Sequence, residues 1–205
     1  MTARLAPKIE TRPHRPAASL AEWARVINTL VARTTRPHEQ GAKASGKRIT
    51  RSDAVELLLT NGDGVVGGGR LAGASGGFGY RMAHDVAEHL VLSGLDPDFL
   101  GEFAAMSGLE SRDVLDFAGI DRTTVSRRKA SGAALPQDAA VKALQVTDLM
   151  TQSTEVFGSP GQASLWLTKP HPLLDGETPL RRARTPWGMS KVQGMLVALR
   201  YGGAA

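Results

Sequence analysis

Cysteine is absent from the chain. That excludes disulfide staples and thiolate metal sites, and it is compatible with a reducing compartment. No run approaches the roughly 20 apolar residues needed to span a bilayer, and the opening MTARLAPKIE lacks the apolar core of a secretory signal. A cytoplasmic protein with no membrane partner is therefore expected. No alternating apolar and polar run marks a strand, and no internal repeat is visible. Nor does any Ser/His/Asp arrangement stand out, and the carboxylates are scattered without a setting that would perturb them. We expect no enzyme activity, no catalytic residue and no cofactor. The glycine-rich run from Gly62 to Gly79 lacks the Gly-Lys-Ser/Thr ending of a phosphate loop and follows no convincing buried strand. His84 and His89 are five positions apart, a poor spacing for two ligands on one helical face, so no metal site is expected.

What is present is a chain of 205 residues, 41% hydrophobic and 22% charged, long enough for one good core and a second small one. Lys and Arg number 25 against 20 Asp and Glu, giving a formal charge of +5. The calculated pI of 9.9 favours an anionic partner without saying whether it is nucleic acid, a membrane surface or an acidic protein.

The pattern divides the chain into three. Residues 1–79 form a basic, Pro- and Gly-rich extension with one or two helices, and Arg4, Lys8, Arg12 and Arg15 mark its basic start as a mobile arm. Within it, Leu20, Trp23, Ile27, Leu30 and Val31 recur at helical spacing over Ser19 to Arg33. Such an amphipathic helix needs something to pack on. A second short helix is expected over Ser52 to Thr60, before a flexible glycine-rich linker.

Residues 80–135 and 136–205 read as wholly helical. Met82, Val86 and Leu90 share a face. Asp96 and Pro97 open a helix bearing Leu100, Phe103, Ala104 and Met106. Ser111 caps a helix that Gly119 stops, and Asp121 opens the next, Arg122 to about Ala130. Pro136 begins the longest helix, to about Phe157, and Pro160, Pro179 and Pro186 each begin a shorter one, the last running to about Tyr201. The expected fold class is all-α.

Two short capped helices joined at Gly119 and Ile120 have the length and punctuation of a helix-turn-helix. Val114, Leu115, Ala118, Ile120 and Val125 are its apolar inner set, while the second helix turns basic and hydroxyl side chains outward. On this reading Arg122, Thr123, Thr124 and Arg127 read bases in operator DNA, and Arg128 and Lys129 mainly hold phosphate. A solvated helical hairpin with a basic face is the alternative. Leu115 stands where the motif usually has a small residue, and Arg128 where it often has an apolar one.

The most specific stretch begins VTDLMTQSTEVFGSPGQASLWLTKPHPLLDGETPL and continues TPWGMSKVQGMLVALRYGG. It resembles the Xre/MbcA/ParS toxin-binding domain in a V-F-G turn (Val156, Phe157, Gly158) and a Trp-Leu pair (Trp166, Leu167). The likeness continues through a loop with Pro170, Pro172, Leu174, Gly176, Pro179 and Leu180, to a last helix closing on Tyr201 and Gly202. The preceding helix-turn-helix is similar too, so the resemblance spans about Leu95 to Gly203.

The resemblance implies an antitoxin that silences a RES-domain toxin, a fold related to ADP-ribosyltransferases that uses NAD. It also implies a homodimer formed through the C-terminal module and repression of the chain's own operon. Arg200, Tyr201, Gly202 and Gly203 would sit at the mouth of the toxin's active site. The loop prolines and Gly176 are expected to fix a backbone with little regular hydrogen bonding that presents a rigid shape to the toxin. Trp166, Leu167, Leu174 and Leu180 also suit the module's own core, and for Trp166 core is the preferred reading. Arg181, Arg182 and Arg184 depart from the family pattern and suit an acidic toxin face, DNA or solvent. A stand-alone regulator that uses the C-terminal module only to dimerise is the alternative function.

Overall fold

The computed structural model describes residues 20–34, 60–61, 80–81 and 84–202. The basic arm, the glycine-rich linker, Met82, Gly203 and, except for Thr60, the helix expected over Ser52 to Thr60 lie outside them. Among the described residues the fold is all-α, with nine α-helices and one two-residue antiparallel pair.

The helices are α1 (Leu20–Thr34), α2 (His84–Ser93), α3 (Asp98–Ser107), α4 (Ser111–Ala118), α5 (Arg122–Ala130), α6 (Gln137–Phe157), α7 (Pro160–Thr168), α8 (Pro179–Arg182) and α9 (Pro186–Arg200), with a 3-10 turn at Pro172–Leu174. None of the described helices is long and apolar enough to cross a membrane. Strands β1 (Thr60–Asn61) and β2 (Tyr80–Arg81) pair Thr60 with Arg81 and Asn61 with Tyr80. No strand was expected there.

Local chemistry sets most boundaries. Asp121 accepts a bond from the Thr124 amide, and Ser159, Thr178 and Thr185 cap α7, α8 and α9 in the same way, each followed by a proline in the first helical turn. The backbone amide of Asp98 donates to Asp96 Oδ1 at 3.0 Å. Glycines in the left-handed region stop α3, α4 and α6. Ser111 is not the cap expected of it: Glu110 holds the extended conformation before α4, and Ser111 is already helical.

Long helix α6 is the axis of the molecule. Helices α1, α2, α3, α4, α7 and α9 all pack on it. One continuous core runs from Trp23 through Phe99, Phe103, Phe117, Leu149 and Met150 to Leu174 and Leu196, with no break at the boundary expected between residues 135 and 136. Apolar burial of this extent is the main stabilising term. Helix α1 belongs to that core. Trp23 lies edge-on to Phe103, with ring centroids 6.3 Å apart, and its indole Nε1 donates to the buried Thr151 Oγ1 at 3.1 Å. At the other end of α1 the Thr34 carbonyl accepts from the Asp96 amide at 2.8 Å, and Arg33 pairs with Glu102.

Candidate functional site

Two surfaces carry the residues singled out from the sequence. The first is α5. Its predecessor α4 buries Val114, Phe117 and Ala118 against the core, with Leu115, Ile120 and Val125 half-buried at the junction. Phe117 was missing from the expected inner set. Gly119 turns the chain at φ 68°, a conformation that favours glycine.

Helix α5 buries no residue completely. Arg122, Thr123, Ser126, Arg127 and Ala130 line one shallow outward surface. The other assigned side chains have partners within the chain. Thr124 donates its hydroxyl to Asp121 Oδ2 at 2.7 Å, and with its amide it holds the Asp121 carboxyl below the usual carboxylate range. Arg128 donates from Nη1 to the Ala134 carbonyl at 2.8 Å, which ties the end of α5 to the loop before α6. The Lys129 ammonium lies 2.6 Å from Asp98 on α3, and that carboxylate raises its pKa. Arg122, Thr123 and Arg127 are thus brought together on an open face, while Thr124, Arg128 and Lys129 are engaged in placing the helix.

The second surface is built around the loop between α7 and α8. Phe157 packs on Trp166 at 5.3 Å and Trp166 on His171 at 6.4 Å, so the indole joins the V-F-G turn to the loop. The expectation of little regular hydrogen bonding there is corrected. His171 donates its amide to the Glu177 carbonyl, and the amides of Leu174 and Gly176 both donate to the carbonyl of His171, at 3.0–3.2 Å. Asp175 and Gly176 take successive left-handed conformations, φ 57° and 79°, which close the loop on itself.

Arg182 clamps this loop from outside, 3.2 Å from both Asp175 and Glu177. Arg181 lies 4.0 Å from Glu177, and Arg184 lines a cleft with Glu110, Asp113 and Asp116 of the α4 segment. Burial, Glu110 and Asp116 push the Asp113 carboxyl above its ordinary value, against the pull of Arg112.

Of the loop residues assigned to toxin contact, Leu174, Pro179 and Leu180 are buried in the module's core, whereas Pro170, Pro172 and Gly176 are exposed. Arg200 pairs with Glu155 of α6, which pins the end of α9. Tyr201 then projects, 68% exposed, and Gly202 follows with φ 75°. Among the described residues the most exposed large apolar side chain is Trp187, at 83%, which had not been singled out. A signal was available: three and four positions on stand Ser190 and Lys191, so its helical neighbours are polar.

No group of three or more potential metal ligands occurs among the described residues. Residues 152–202 match the antitoxin Xre/MbcA/ParS C-terminal toxin-binding domain, about a quarter of the chain, from within α6 through the clamped loop to the end of α9. The class of protein is a toxin-antitoxin antitoxin with a toxin partner. Through residues 152–202 the chain carries a module similar to the toxin-binding domain of Xre/MbcA/ParS antitoxins. No curated protein matches it.

Proposed function

We infer that the chain neutralises a RES-domain, NAD-using toxin by covering its active site, acts as a homodimer and represses its own operon. The observation that carries this reading is the match of residues 152–202 to a toxin-binding domain, which ends on a pinned helix whose next residues project outward. Arg200 is held by Glu155, so Tyr201 and Gly202 leave a fixed point rather than a frayed end. A preorganised projection loses less freedom on binding than a mobile one. Pro170, Pro172 and Gly176 contribute a loop already locked into shape, with Leu174, Pro179 and Leu180 as its foundation.

The repressor half rests on α5. Arg122 and Arg127 offer forked donors to a guanine edge, with Thr123 beside them. Arg128 and Lys129 keep α5 in register through Ala134 and Asp98, and this placement precedes any phosphate contact.

Expression of the adjoining gene alone should arrest growth, and co-expression of the full chain should restore it. A chain truncated before Arg200 should fail to restore growth, and full rescue by the truncation overturns the capping reading. In a gel-shift assay on the chain's own promoter, Arg122→Ala with Arg127→Ala should abolish specific retardation; unchanged affinity removes α5 as the reading helix. A truncated chain that still retards DNA separates the two activities.

A further inference from the structure

Helix α9 presents a second feature on its outer side. Trp187, Lys191, Gly194, Ala198 and Tyr201 follow one another at steps of four, three, four and three, which places them in line along one helical face. The opposite face supplies the core with Gly188, Val192, Met195 and Leu196. Trp187 and Tyr201, 83% and 68% exposed, end the stripe, each two turns from Gly194. Gly194 leaves its middle open: no atom outside the helix lies within 4 Å of the place a Cβ would take. Two exposed aromatics bracketing a trough have the form of binding anchors, since large aromatic side chains dominate protein interfaces when desolvated.

Charge selects the occupant. From Thr178 to Ala205 the sequence has no Asp or Glu but contains Arg181, Arg182, Arg184, Lys191 and Arg200. Arg182 and Arg200 are matched by acids within the chain, whereas Lys191 is exposed in the stripe itself. A second copy meeting this face with its own α9 would bring basic against basic. Duplex DNA offers no apolar pocket for Trp187. A protein face with an apolar pocket and an acidic rim fits both, and the stripe is continuous with Tyr201 at the projecting end.

We propose that toxin recognition extends along the whole of α9, rather than the tail alone. Trp187 seats in an apolar toxin pocket, Lys191 faces a toxin carboxylate, and Gly194 admits the closest approach of the toxin surface. This rests on the antitoxin reading above. The test is titration of the purified full-length chain against the catalytically inactivated RES-domain protein encoded by the adjoining gene. Trp187→Ala, Lys191→Glu and Gly194→Leu should each weaken binding about tenfold or more, and Lys191→Arg should retain it. Gly194→Leu fills open space in a helix interior, so its melting temperature should hold or rise. Wild-type binding with all three variants equally tight overturns the stripe and leaves the antitoxin reading standing. No wild-type binding overturns both. A change only in the chain's own oligomeric mass, or only in its retardation of DNA, assigns the stripe to a second copy or to nucleic acid and also overturns the proposal.

Discussion

Two glycines and an aspartate show how closely single side chains are held to their tasks. At Gly119 the requirement is conformational, because the turn between α4 and α5 needs a positive φ. At Gly188 it is spatial: an added Cβ would stand 1.9 Å from the Arg182 carbonyl oxygen, where α9 starts against the end of α8. Gly188→Ala must therefore displace backbone, and a loss of about 1–3 kcal/mol is expected from overpacking of this kind, measurable by urea denaturation. An unchanged midpoint would show that α8 and α9 separate freely. Asp113 works in the opposite sense, since it opposes folding when charged. Its folded pKa is raised by burial and by Glu110 and Asp116, so the folded state holds the proton more tightly. Stability should fall as pH rises from the ordinary carboxylate value of 3.8 through the raised one, and it stays reduced above that. Asp113→Asn should raise the melting temperature at pH 7, with the gain vanishing in acid below 3.8; a gain independent of pH would assign the effect to something other than this charge.

Helix α1 illustrates what a pattern of side chains can and cannot convey. Its apolar stripe was legible, as were the Asp121 cap of α5 and the first-turn prolines of α7, α8 and α9, because each depends on neighbours within a turn of the chain. What α1 packs on was not legible, because Trp23 finds Thr151 across 128 positions. The same reason hid β1 and β2, two residues each, paired across a glycine-rich run. Legible basic residues on α5 likewise gave no hint that Arg128 reaches back to Ala134 or that Lys129 pairs with Asp98. Loop closure between α7 and α8 was misread because prolines suggest missing hydrogen bonds, while the amides of His171, Leu174 and Gly176 supply them. Since α1 fills the core, Trp23→Ala should cost about 3–5 kcal/mol. A midpoint within error of wild type in denaturant would show α1 to be a dispensable attachment.

Taken together, α6 joins the helix that faces outward at α5 to the module that ends in α9, and one core runs beneath both. The surfaces proposed to meet DNA and toxin thus rest on one shared core, and each should be removable by local change without unfolding the other. Arg122→Ala with Arg127→Ala should accordingly leave toxin affinity unaltered. The most direct trial of the account is NAD consumption by the purified toxin, followed as the full chain is titrated in. Consumption should fall to background at a fixed stoichiometry, and a chain ending at Leu199 should leave it running. NAD turnover that continues unchanged in excess full-length chain would contradict the account at its centre.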